Sequence, residues 1–200
     1  MKKLLLILAS TVVVLASVAG TLAWLTSSTA TLDNTFTVGD LTITLEEPGW
    51  PEGGNPKIVP GSIVTKDPTV TLEAGSEACF VFMKVEIGQT LLSDAIQSID
   101  YNAAWTRGTG TGTGGNGVPT NVYFRQEAAA PTERALTPLF TTVTFKNTIT
   151  GERLTQICEG YEGHPAEGIK VTAYAIQSAN LPAQTAASAW SMLAEQESLS

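Results

Sequence analysis

Histidine is almost missing from this chain, and thiols are few: His164 stands alone, and Cys79 and Cys158 are the only cysteines. No CxxC pair and no His-Glu-x-x-His run occurs, so zinc finds no familiar ligand spacing and no metal site is expected. A single histidine singles out no Ser/His/Asp set, and His164 lies in EGYEGHPAEG, a loop by composition where a solvated ring is expected. Basic residues are scarce as well. Eleven Lys and Arg face nineteen Asp and Glu, a formal charge of −8 with no basic patch. Such a surface repels phosphate backbones, which argues against nucleic acid as a partner. The carboxylates are scattered over strand ends and loops without pairing for acid/base work, and the acidic loops could bind Ca²⁺ weakly although no EF-hand or repeat spacing is present. No catalytic residue and no cofactor is therefore assigned.

Two further absences concern motifs that are nearly complete. Gly110-x-Gly112-x-x-Gly115 has the glycine spacing of a dinucleotide loop, but it leads into Val118-Pro119 and another strand. Without a following helix N-terminus, nothing would hold a pyrophosphate. Leu181-Pro182-Ala183-Gln184-Thr185 lacks the glycine of a sortase signal, and a polar, acidic tail follows it. The two cysteines allow two readings. A disulfide across a loop of about 80 residues would be worth ~4 kcal/mol on the chain-entropy estimate. Alternatively both are small buried hydrophobes, since ACFVFM and LTQIC are apolar surroundings.

What is abundant is apolar sequence with a period. Met1-Lys2-Lys3 precedes twenty-two uncharged residues, Leu4 to Leu25. That length suits a transmembrane helix, yet small residues take over after Val18. A positive start, an apolar centre and a small-residue end describe a secretory signal peptide, residues 1–23, cut between Ala23 and Trp24. The mature chain would carry nine basic against nineteen acidic residues, −10. Downstream the period is two. Phe36 and Val38, then Leu41, Ile43 and Leu45, then Val70 and Leu72 alternate with Thr and Glu. One face in a core and one in water is the mark of an antiparallel sheet.

Cys79 to Ile87 is apolar on both faces at first and reads as a central strand. Val122 to Arg125, Leu139 to Lys146 and Ile169 to Gln177 bring the total to about seven. The expected fold is all-β, an antiparallel two-sheet sandwich over residues 39–181. Glu46 to Pro56 must be loop, Arg107 to Pro119 a flexible excursion, and Glu127 to Leu136 a polar connection. One or two short peripheral helices are expected, one over Leu91 to Ile99 and one in the 182–200 tail, where Ala186, Trp190 and Leu193 share a stripe and the alternative is a frayed terminus.

Several short motifs occur in a fixed order: Gly20-Thr21-x-Ala23-Trp24, Asn34-Thr35-Phe36-Thr37-Val38-Gly39, Lys57-Ile58-Val59-Pro60-Gly61, Lys66-Asp67-Pro68-Thr69-Val70, Pro138-Leu139-Phe140-Thr141 and Val171 to Gln177. From Met1 to about Leu181 this order resembles the camelysin/TasA family of Gram-positive bacteria. The resemblance implies export through a SipW-type signal peptidase, a jelly-roll-like sandwich, and a structural role in biofilm fibres of the extracellular matrix, with other matrix components as further partners. It also implies a second activity class, since camelysin-like members have been grouped as secreted metallo-endopeptidases. A membrane-tethered cell-surface adhesion module is the third reading. Cleavage at Ala23 would free an arm, residues 24–38, rich in Thr and Ser and free of proline and glycine. Trp24, Leu25, Leu32 and Phe36 are the expected anchors by which this arm adds a strand to a neighbouring subunit.

Overall fold

The computed structural model describes residues 41–50, 58–179 and 181–198, all within the unit Asp33–Ser200. Among these residues the chain is mostly β. Ten strands are present: β1 (Ile43–Glu46), β2 (Ile63–Thr65), β3 (Thr69–Leu72), β4 (Cys79–Ile87), β5 (Ile96–Ile99), β6 (Thr106–Arg107), β7 (Val122–Glu127), β8 (Arg134–Ala135), β9 (Thr142–Phe145) and β10 (Ile169–Gln177). Two α-helices accompany them, α1 (Gly151–Glu159) and α2 (Ala186–Ser198).

The strands form three antiparallel sheets, in the orders β1-β3-β8, β10-β4-β7-β6 and β2-β9-β5, where two sheets were expected. The extra division has a local cause. Pro68, which has no N–H to give a ladder, separates β2 from β3. Isolated backbone bonds bridge the break, Lys66 N–H to the Thr141 carbonyl and Leu139 N–H to the Pro68 carbonyl, both 3.0 Å.

The alternation read from the sequence decides which side chains face inward. Leu41, Ile43, Leu45, Val70 and Leu72 are buried while Glu46 is exposed. On β4 the two faces enter different clusters. Cys79, Val81, Met83 and Val85 join the main core, and Phe80 and Phe82 join a second one. β4 is central, with β10 paired along all nine of its residues and β7 along Cys79 to Lys84. Its second face is covered by α2, which sets Ala189, Trp190 and Leu193 against Phe80, Phe82, Tyr174 and Ile176. The Trp190 ring lies 5.4 Å from Phe82 and meets Tyr174 edge-on at 5.9 Å.

Four local expectations are corrected. Over Leu91 to Ile99 only Leu91–Ala95 winds, as a single π-helical turn, and Ile96–Ile99 is strand β5. Pairing with β9 outweighs a weak helical stripe here, and the β-branched Ile96 and Ile99 favour the extended form. Helix α1 had no counterpart in the sequence reading. Thr150 caps it by accepting the Arg153 N–H at 3.2 Å, and Leu154 and Ile157 are its buried stripe. The polar connection after Glu127 contains β8, and Glu127 itself is buried. The glycine tract is a hairpin tied by its own side chains rather than a loose excursion. Asn116 Oδ1 accepts from the Thr109 and Val118 amides, and Asn116 N–H donates to the Thr109 hydroxyl.

Candidate functional site

The residues assigned to processing and strand donation, Ala23, Trp24, Leu25, Leu32 and Phe36, lie outside the described residues. Three constellations within them are built well enough to be weighed as sites.

The largest is an open groove of about 700 Å³. One wall is the end of β4, Val85 to Ile87, with Thr120, Asn121 and Tyr123 beside it. The other is the whole of β5 together with Leu92. β5 pairs with β9 alone; on β4 the β7 side is bonded as far as Val85, whose N–H donates to the Asn121 carbonyl at 2.8 Å and whose carbonyl accepts from Asn121 Nδ2 at 3.4 Å, so only Glu86 and Ile87 run on past it. Two strand edges therefore face the groove without a ladder partner among the described residues. Its floor is stiffened by rings: Tyr101 stacks on Tyr123 at 4.4 Å and meets Phe140 edge-on at 5.5 Å. Burial, with the Tyr123 hydroxyl beside it, pushes the Tyr101 phenol up, so it stays protonated. The Arg107 guanidinium lies 6.0 Å from the Tyr123 ring and its Nε donates to the Thr120 carbonyl at 2.9 Å. Leu92 is 51% exposed at the rim. Glu86 is the one carboxylate in the lining, and it is shared between Lys84 at 3.2 Å and Lys170 at 3.7 Å. Apolar and polar side chains share the lining, beside strand edges that have main-chain groups to offer an extended chain.

A second constellation surrounds Glu127, which is 7% exposed. Its carboxylate takes Arg125 Nε on one oxygen and Arg134 Nη2 at 3.0 Å on the other. The Arg125 guanidinium lies 5.5 Å from the Trp105 ring, whose Nε1–H donates to the Thr137 carbonyl at 2.9 Å. A buried carboxylate held by two cations and an aromatic face is a structural clamp in which one carboxylate answers two guanidiniums, with Arg125 Nη1 buried and unbonded, and removing Glu127 would strand both cations. Cys79 sits opposite Glu127 in the ladder. Burial first, then the Glu127 charge, raises its thiol to about 12, so it is inert as a nucleophile.

The third joins α1, the π-turn and the 161–168 loop. Arg153 pairs with Asp94 at 3.0 Å and lies 5.9 Å from the Tyr161 ring, which stacks on His164 at 4.4 Å. The Glu167 carboxylate accepts the Leu91 N–H at 2.6 Å, and that bond leads the causes holding its carboxyl below the ordinary range. His164 is exposed, as its loop composition suggested, but it is stacked. Both cysteines are free thiols, Cys79 buried and Cys158 half-buried, which decides between the two readings. Among the described residues no group of three or more His, Cys, Asp or Glu is placed to hold a metal ion. No described helix is long and apolar enough to cross a membrane.

None of these lining residues was singled out from the sequence. The groove is made by strand ends that stop at different lengths, and only ladder register reveals that. Compared with protein-family models, curated proteins and solved structures, the chain gives no match.

Proposed function

We propose that the chain is a secreted structural subunit of a bacterial extracellular matrix, assembling into fibres by strand donation once a SipW-type signal peptidase has cut between Ala23 and Trp24. In this reading the three sheets make up two layers of a jelly-roll-like sandwich, with β1-β3-β8 and β2-β9-β5 as one layer interrupted at Pro68. The role is structural, not enzymatic, and the product resides in the matrix or on the cell surface.

The observation that carries the proposal is the groove. Its two unladdered strand edges and the exposed Leu92 offer main-chain and apolar contacts to an incoming strand. An arm such as residues 24–38, given by one subunit to the next, makes a heterologous contact that does not close and so grows a filament. The test is deletion of Trp24 to Asp33 from the exported protein, followed by electron microscopy. Loss of fibres is expected, and undiminished polymerisation overturns the proposal. Leu92→Asp gives an independent arm. The site is half exposed, so the fold should tolerate the charge while the groove loses its apolar rim and assembly falls.

A further inference from the structure

The sequence contains a single Asn-Gly pair, Asn116-Gly117, in the hairpin between β6 and β7. Asn-Gly is the dipeptide most prone to spontaneous deamidation, because glycine has no side chain to keep its amide nitrogen from the preceding carboxamide. The reaction needs two freedoms: a Gly117 nitrogen released from other bonds, and an Asn116 carboxamide able to turn its carbon toward that nitrogen.

The hairpin withholds both. Gly117 N–H donates to the Gly110 carbonyl at 3.0 Å. The Asn116 carboxamide is fixed at both ends: Oδ1 accepts from Thr109 N–H at 2.9 Å and Val118 N–H at 3.2 Å, and Nδ2 donates to the Arg107 carbonyl at 3.1 Å. The Thr109 hydroxyl completes the ring by accepting Asn116 N–H at 2.9 Å. Gly117 is also seated against α2 at φ +79°, where an added Cβ would come 2.4 Å from that of Ala187.

We propose that Asn116 is a deamidation site that the folded hairpin keeps closed and that opening of the hairpin exposes. On opening, the Gly117 nitrogen loses its proton to base and attacks Asn116 Cγ. The new C–N bond forms as the Cγ–Nδ2 bond breaks and ammonia leaves, giving a succinimide. Water then adds across either imide C–N bond to give aspartate or isoaspartate at 116. The product cannot restore the ring. A carboxylate oxygen would face the Arg107 carbonyl where Nδ2 had donated, and isoaspartate lengthens the backbone just before the glycine seated on α2. The modification would therefore record how often the hairpin has opened.

One feature of the ring works in the opposite sense, since two amides on Oδ1 polarise the carbonyl and would stabilise an oxyanion. The tied Gly117 nitrogen outweighs this, because without a free nucleophile no addition begins. The experiment is incubation of the intact protein at mildly alkaline pH with peptide mapping of the 107–119 segment, scoring aspartate and isoaspartate. Urea-unfolded protein, wild type, Thr109→Ala and Thr109→Ser are compared, each checked by circular dichroism for its fold. Wild-type folded protein should convert at least about tenfold more slowly than unfolded chain, the factor expected when reaction waits on local opening. Thr109→Ala removes the acceptor of Asn116 N–H but keeps the Thr109 amide on Oδ1 and the Gly117–Gly110 bond, so it should convert at a rate between folded wild type and unfolded chain, and Thr109→Ser should match wild type. Conversion of folded wild type as fast as unfolded chain, or faster, overturns the gate. If Thr109→Ala does not fold, the folded-versus-unfolded comparison in wild type decides.

Discussion

Asp100 shows what one side chain contributes where a strand meets a turn. Its carboxylate receives Thr141 N–H at 2.9 Å, Thr142 N–H at 2.6 Å and the Thr141 hydroxyl at 2.6 Å, fastening the end of β5 to the start of β9. Burial acts to raise its pKa, but these bonds together outweigh burial and hold the carboxyl below the usual range. A depressed value means stabilisation that is complete above the unfolded value, about pH 3.9, and lost as pH falls through the folded one. Asp100→Ala should therefore cost about 1 kcal/mol at neutral pH, a figure reduced for the exposure of the site. Urea melts check this: the gap between wild type and variant should narrow at pH 3, and a gap unchanged by acid would mean the charge is not its source. Glu127 contrasts with it, being buried between two arginines. A Glu in a β-run after an apolar strand carries no mark of burial. Its inward side was fixed by the register opposite Cys79.

At the scale of elements, α2 and β4 explain one another. A half-buried strand should alternate, yet Cys79 to Met83 is apolar on both faces. The second face is dry because α2 lies over it, with Trp190 against Phe82 and Tyr174. The sequence signal for a buried strand and the stripe in the tail were both legible. Their contact was not, since about a hundred residues separate them. Trp190→Ala should weaken this docking by about 3 kcal/mol, at the low end for an aromatic core deletion because a helix at the chain end can move away. The checks are a lowered melting temperature and new binding of a hydrophobic dye to the uncovered Phe80, Phe82 and Tyr174; unaltered dye binding would show that α2 is not the cover. β5 illustrates the reverse case. Leu92, Ala95, Ile96 and Ile99 read as a helical stripe, but a ladder with β9 was available, and local propensity yielded to it.

For the molecule as a whole, charge and edges pull in opposite directions. Unladdered strand edges and the exposed Ile63 and Leu92 favour association. The net charge, −8 for the whole chain and −10 for the proposed mature form, opposes it through like-charge repulsion between subunits. Fibre growth should therefore accelerate several-fold as added salt shortens the screening length from about 30 Å at 0.01 M to about 10 Å at 0.1 M. It should also accelerate as pH is lowered toward the isoelectric point, which is near 4.6 for the full chain and lower without Lys2 and Lys3. Light scattering across a salt series tests this; a rate indifferent to salt would remove repulsion as the barrier.

The sequence by itself determined the class of structure, because period-two alternation fixes which side chains can share a face whatever the partner strand is. It placed β1, β3, β4, β7, β9 and β10 within a few residues, and it left the two cysteines open between pairing and burial. Only the tertiary structure decided that β2 and β3, on either side of Pro68, join different sheets, that α2 seals the back of β4, and that the β7 ladder stops short on β4 to leave a groove. Those outcomes depend on register and on contacts between residues far apart in the chain, where each strand's local pattern is satisfied equally well by several partners.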